Sequence, residues 1–182
     1  FEVLKEFDKK LNLVQEDRTI KALLIDSAKK DIFIAGADIK EIEQLKDSEE
    51  VYEALMNIHK IFNKLENLSI PTIAYINGAC MGGGLELALA CKYRVLSTNE
   101  KTKLAFPEIK LGIFPGFAGT IRLPKLIGLV NALDLILTGK TVDAKKAYKI
   151  NLADAIFDDA QKEFMPNDFV QNAITGNLGS RK

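Results

Sequence analysis

The run Gly82-Gly83-Gly84-Leu85-Glu86-Leu87-Ala88-Leu89-Ala90 constrains this chain more than any other stretch. Three glycines lead straight into an apolar helix that carries one carboxylate near its start. Glycine lets a backbone approach a ligand closely, and the free N–H groups of a helix start favour developing negative charge. A second carboxylate stands in a similar setting, Phe106-Pro107-Glu108-Ile109, ahead of the glycine-rich run Leu111-Gly112-Ile113-Phe114-Pro115-Gly116-Phe117-Ala118-Gly119-Thr120. Anion-stabilising backbone beside two embedded carboxylates is the equipment of enolate chemistry with acid–base assistance.

Hydropathy patterning sets these motifs in a series of strands and helices. Val3, Leu4, Phe7, Leu11 and Val14 recur at helical spacing, so the N-terminus reads as an amphipathic helix. Residues 20–25 read as a buried strand ending at Asp26. The apolar run Ile32-Phe33-Ile34 leads into Ala35-Gly36-Ala37-Asp38, where Asp38 is placed to cap a helix reaching about Leu45. A longer helix spans 48–66, with Leu55, Ile58, Phe62 and Leu65 on its inner face and Ser48 as its cap. Pro71 blocks further helix, and 72–76 is a strand. Asn77-Gly78 then turns the chain toward the three glycines. Strands follow near 94–97 and 103–106, then helices near 120–126, 130–137 and 142–149. This alternation predicts an α/β fold with a mostly parallel sheet flanked by helices.

At 182 residues the chain can bury a real core and is expected to form one domain. Its 25 basic and 25 acidic residues balance, which offers no bulk attraction for nucleic acid or a membrane surface. No apolar run approaches the length of a membrane span, and Phe1 opens directly onto the amphipathic helix without a signal-peptide pattern. Cys80 and Cys91 lie in apolar surroundings and fit a reducing compartment better than a disulfide framework. Composition does not separate bacterial cytoplasm from mitochondrial matrix; bacterial cytoplasm is the expected location.

The segments Ala35-Gly36-Ala37-Asp38-Ile39-Lys40, Asn77 through Leu87, and Pro107-Glu108-Ile109-Lys110-Leu111-Gly112 through Pro115-Gly116 resemble the crotonase superfamily. Within it they resemble the enoyl-CoA hydratases. Leu85-Glu86-Leu87-Ala88-Leu89-Ala90-Cys91 and Leu137-Thr138-Gly139-Lys140 extend the likeness to the hydratase half of multifunctional fatty-acid-oxidation alpha subunits. Three separate motifs in the family's order make the resemblance specific. It implies a crotonase-like fold of repeated ββα units, with a core over residues 1–157 that lacks the family's usual first strand and a partial C-terminal helical region over 158–182. The chain is therefore expected to be part of a longer enzyme. It carries no Gly-x-Gly-x-x-Gly fingerprint of a dehydrogenase.

The resemblance also assigns roles. Glu86 and Glu108 would hold the reacting water, Glu86 mainly as base and Glu108 as donor of the α-proton. The N–H groups of Ala37 and Gly83 would converge on the thioester oxygen, and Gly116 would position the water through its backbone. Ala35, Asp38, Ile39 and Lys40 resemble residues that line the coenzyme A site. No metal and no separate cofactor are implied, since coenzyme A is part of the acyl-CoA thioester substrate. Family members commonly form homotrimers, so a homo-oligomer or a larger multifunctional chain is expected.

Plainer readings stand beside these. A glutamate in a helix's first turn often serves only the dipole, Pro107-Glu108 also fits a helix start with a solvated carboxylate, and three glycines also fit a tight turn with close helix packing. Lys40 also reads as a solvated helix lysine. His59, the sole histidine, lies beside the apolar stripe of its helix and reads as structural. Three functional classes follow: a hydratase with isomerase ability, a hydrolase of the same broad fold built on Cys80, and a non-catalytic assembly module. A hydrolase needs a base within reach of its nucleophile, and the helical position of His59 argues against that. The C-terminal segment carries Phe164, Met165, Phe169, Val170 and Ile174 without strong periodicity and is expected to pack poorly or lean on a neighbouring chain.

Overall fold

The computed structural model describes residues 2–36, 47–158 and 165–178. The expected cap at Asp38 and its helix lie outside the described residues. An amphipathic helix α1 (Glu2–Glu16) is followed by two short strands, β1 (Leu23–Ile25) and β2 (Ile32–Ile34). Helix α2 (Ser48–Glu66) leads to β3 (Thr72–Ile76), β4 (Ala79–Met81) and α3 (Gly83–Ala90). Strands β5 (Tyr93–Ser97) and β6 (Lys103–Ala105) precede a 3₁₀ turn (Pro107–Leu111), α4 (Gly119–Ile127) and α5 (Leu129–Thr138). The chain continues through β7 (Val142–Asp143), α6 (Ala144–Lys149), β8 (Ala155–Phe157) and α7 (Met165–Thr175).

Strands β1 to β6 alternate between two sheets, and β7 then pairs beside β6 before β8 returns to the first. One has the order β1-β3-β5-β8 and is parallel throughout; the other has the order β2-β4-β6-β7, with only β6 and β7 antiparallel. The pairs β1–β2, β3–β4 and β5–β6, each followed by helix, are thus ββα units, and they stack in register: Ile73 beside Tyr93 in the first sheet, Cys80 beside Leu104 in the second. Every residue of β3 is buried, as parallel strands covered on both faces require. Its side chains divide by parity. Ala74 and Ile76 join the main core with Leu85, Leu96, Phe106 and Leu123, while Ile73 and Tyr75 face a second cluster with Val95 and Phe157.

That second cluster is completed by Phe169 and Ala173 of α7, one turn apart on the same helix face. Tyr75 stacks on Phe157 with ring centroids 4.8 Å apart, and Tyr93 meets Phe169 edge-on at 5.6 Å. The expectation of a poorly packed C-terminal segment is therefore corrected for these residues: α7 covers the outer face of the first sheet. Ile174 remains exposed.

Other differences are local. Asp47, not Ser48, caps α2, its carboxylate accepting from the N–H groups of Glu49 and Glu50; either residue is a good cap, and the chain uses the one that precedes the first helical turn. Residues 142–143 form a strand rather than the start of a helix, because Asp143 is the cap of α6 and accepts from Lys146 N–H. The strand read over 20–25 is ordered as sheet only from Leu23.

Helix α3 is buried on all sides, as a helix with leucine or alanine around its circumference must be. Its C-terminus is held by Arg94 of β5, which is almost fully buried. The guanidinium donates to the carbonyls of Ala88 at 3.2 Å and Cys91 at 2.8 Å and pairs with Asp154 at 3.1 Å. Those contacts satisfy carbonyls that the helix end leaves without intrahelical partners.

Candidate active site

The three glycines do different work. Gly82 has φ +52°, a conformation that side chains rarely adopt, and a Cβ there would lie 2.6 Å from Glu108 Oε1. Its missing side chain is the seat of the Glu108 carboxylate. Gly83 is the first residue of α3, where the N–H has no acceptor within the helix. Gly84 lets β2 approach, since a Cβ there would fall 2.4 Å from the Ile34 carbonyl oxygen. The tight-packing reading of this motif thus holds at Gly84, while Gly82 makes room for a carboxylate.

Glu86 is 1% exposed. Its Oε1 accepts two backbone hydrogen bonds, from Phe117 N–H and from Gly119 N–H, each 2.7 Å long. Between these donors Ala118 adopts a left-handed conformation with φ +70°, and the loop closes around one oxygen as an anion-binding concavity. Burial pushes the Glu86 carboxyl up to about 7, against the lowering effect of the Gly119 and Phe117 bonds; the charge of Glu108 raises it further and Arg122 lowers it. Glu108, in the 3₁₀ turn, is half-buried and is also raised, again by desolvation, with its own backbone N–H opposing. Its Oε2 is buried and has no hydrogen-bond partner among the described residues. Two carboxylates from separate elements, close enough to feel each other's charge, are the arrangement that shares protons.

Gly116 lies at the exposed surface beside Leu55 of α2. Ala35 is exposed just after β2. Ala37, Asp38, Ile39 and Lys40 lie outside the described residues, and with them the expected convergence of the Ala37 and Gly83 N–H groups. Sequence reasoning did not find the Phe117 and Gly119 donors or Arg122. The glycine-rich run around them was the available signal, but it names no donor.

Cys80 points into the core of the second sheet and is fully buried, and burial pushes its thiol well above the ordinary range. A nucleophilic cysteine needs the opposite shift and partial exposure. His59 lies on α2, and among the described residues the hydrolase reading finds no nucleophile–base pair. No helix among the described residues is long and apolar enough to cross a membrane.

Comparison with known proteins agrees with this geometry. The fatty acid oxidation complex subunit alpha of Shewanella halifaxensis is 44% identical over 169 residues, covering 93% of this chain and 23% of that protein. The same subunit of Shewanella amazonensis is 49% identical over 146 residues, covering 80% of this chain and 21% of that protein. The chain thus spans less than a quarter of the length of these relatives. Among solved structures, an enoyl-CoA hydratase from Geobacillus kaustophilus superposes with a TM-score of 0.89 at 31% identity, over 95% of this chain and 65% of that one. An enoyl-CoA hydratase from Bacillus anthracis gives 0.88 at 33% identity, over 97% of this chain and 67% of that one. Residues 1–169 match the family described as enoyl-CoA hydratase/isomerase, and the superposed fold agrees with that match: the chain belongs to the enoyl-CoA hydratase/isomerase family.

Proposed function

We propose that the chain adds water across the double bond of trans-2-enoyl-CoA thioesters in fatty-acid β-oxidation. The observation that carries this is the carboxylate pair, with Glu86 clamped at one oxygen and Glu108 presenting a buried Oε2 that has no partner among the described residues. Hydration places the water oxygen on the β-carbon and a proton on the α-carbon while negative charge collects on the thioester oxygen. Glu86 takes the proton of the water as its oxygen bonds to the β-carbon. Glu108 gives its proton to the α-carbon. The Gly83 N–H, at the start of α3, supports the thioester oxygen, and Ala37 N–H is its proposed partner. One such donor is worth about 3 kcal/mol in the transition state. A carboxyl poised at about 7 accepts and returns a proton near neutrality. Gly116 positions the water, and Ala35, Asp38, Ile39 and Lys40 hold the coenzyme A portion. No cofactor is needed, because coenzyme A arrives with the substrate.

The family's isomerases supply a second reading, a Δ3-to-Δ2 double-bond shift, and the presence of Glu108 supports it because that reaction moves a proton along the acyl chain without an activated water. The relatives support a place within a larger multifunctional chain and a bacterial, cytoplasmic setting. Leu129, Val130, Leu133 and Leu137 expose an apolar face on α5, which supports a homo-oligomer such as a trimer or packing against further parts of a longer chain. The test is an absorbance assay with a short trans-2-enoyl-CoA. Loss of the conjugated thioester signal with appearance of the 3-hydroxy product is expected. Tight binding of the thioester without turnover would instead make this a non-catalytic module.

A further inference from the structure

Arg122 is the charged side chain of α4 that turns inward, and it is 8% exposed. Its Nη1 donates to the Phe117 carbonyl at 2.9 Å. Its Nε and Nη2 donate to Glu66 Oε2 at 3.0 and 2.8 Å, and Nη2 also reaches Asn63 Oδ1 at 2.8 Å. Both acceptors of that second grip belong to the last turn of α2 and are exposed. One guanidinium therefore ties the peptide between Phe117 and Ala118 to a helix more than fifty residues away in sequence.

That peptide decides where the flanking N–H groups point. Rotating it changes ψ of Phe117 and φ of Ala118, the residue held at φ +70°. An alanine leaves the left-handed region readily, because its Cβ is crowded there. A flip of this peptide would carry the Phe117 carbonyl away from Arg122 and spoil the shared aim of the Phe117 and Gly119 N–H groups at Glu86 Oε1. We infer that Arg122 is a positioning residue: by fixing the Phe117 carbonyl to α2, it holds the Phe117–Gly119 loop in the strained conformation that orients Glu86. Arg122 acts through the loop and its charge, and it does not touch the reacting atoms. The Nε and Nη2 donors that converge on Glu66 Oε2, with Nη1 on the Phe117 carbonyl, are a planar fork that a flexible ammonium does not reproduce. The positive charge also favours the ionised form of Glu86 and so opposes the rise that burial imposes.

The catalytic part of this inference rests on the hydratase reading, so the test separates the two. Arg122→Gln and the double substitution Asn63→Ala with Glu66→Ala are prepared in the full chain. The double variant alters only exposed side chains and leaves Arg122 in place, so it serves where Arg122→Gln does not fold. With a short trans-2-enoyl-CoA, Arg122→Gln is expected to lower kcat by about tenfold or more with little change in KM. The acid limb of its pH–rate profile is expected to move alkaline by about half a unit or more. The double variant lowers kcat by about threefold or more, again at unchanged KM. The double variant keeps the Arg122 charge, so its loss of kcat reads the hold on the loop apart from the charge. Carbon-13 titration of the Glu86 carboxyl in the same proteins reads the effect without turnover, and in Arg122→Gln its midpoint rises. A wild-type protein without hydration defeats the hydratase reading alone, and the titration then decides the role of Arg122. Wild-type kcat and an unmoved Glu86 midpoint in a folded Arg122→Gln overturn the inference. If that variant does not fold, wild-type kcat in the double variant overturns it.

Discussion

Gly119 gives Glu86 its N–H at 2.7 Å and gives it space as well: a Cβ at Gly119 would lie 2.9 Å from both Cγ and Oε1 of Glu86 and 2.9 Å from Cζ of Phe106. All three of those atoms belong to buried residues, so no flexible end can swing aside. The donor and the vacancy come from one residue, and replacing it removes the vacancy without removing the donor. Gly119→Ala is expected to destabilise the fold by about 1–3 kcal/mol through overpacking. The displaced carboxylate should reduce hydration by about 10²-fold even where the variant folds. Urea unfolding and the enoyl-CoA assay on the same preparation check both. A variant with wild-type stability and rate would mean that Glu86 has room to move.

The two carboxylates should fail separately and not additively. Glu86→Gln and Glu108→Gln are each expected to lower kcat by about 10²–10⁴-fold while thioester affinity changes little, because both act on the reacting water and protons rather than on coenzyme A. The double substitution should cost less than the product of the two, since one proton-transfer unit is lost either way. Isomerase activity, where present, should depend more on Glu108. Product formation at the wild-type rate by Glu86→Gln, with binding intact, would rule out the two-carboxylate mechanism.

Which parts of this were legible in the sequence follows from how far each feature reaches. Strand β3 is an apolar run with both faces buried, β5 is centred on Val95-Leu96, and α2 is long and periodic, so local pattern was enough. Strands β4, β7 and β8 are two or three residues long and exist only through pairing with distant segments, Ala79 with Lys103, Val142 with Leu104 and Ala155 with Val95. No window of sequence records such a partner. Glu86 and Glu108 stood out because a carboxylate among leucines, or after a proline before an apolar residue, is unusual. Backbone N–H groups carry no such mark, so the Phe117 and Gly119 donors were invisible. Arg122 read as an ordinary helix residue, and only its place three residues after Gly119 and beside buried Leu123 could have put it on the inner face.

The acid–base roles set a direction for the rate. Hydration as proposed needs Glu86 ionised, and Glu86 titrates at about 7 because burial outweighs its two backbone hydrogen bonds. The rate constant kcat/KM should therefore rise as pH is raised through about 7. Glu108 is also raised by desolvation, and the loss of its proton, the one destined for the α-carbon, sets the falling limb. The observed limbs belong to the coupled pair. A rate that falls steadily through neutrality would reverse the two assignments, making Glu86 the acid.

The same shift ties stability to pH. Glu86 moves from an ordinary 4.5 to about 7 on folding, so the folded state binds its proton more tightly than the unfolded chain does. The stabilisation this supplies is fully present below about 4.5 and is lost as pH rises through about 7, where the buried group ionises at a cost. The loss is about 3 kcal/mol for a shift of this size. Glutamine at this position keeps an oxygen for the Phe117 and Gly119 N–H groups and never ionises. Glu86→Gln should therefore match the wild type in acid and become the more stable protein above neutrality, with the difference growing between about 4.5 and 7. Urea denaturation of both proteins at a mildly acidic and a mildly alkaline pH measures this difference directly, since other titrating groups cancel between them. An equal stability difference at both pH values would show that Glu86 is ionised without penalty, and the burial that tunes it for proton transfer would lose its support.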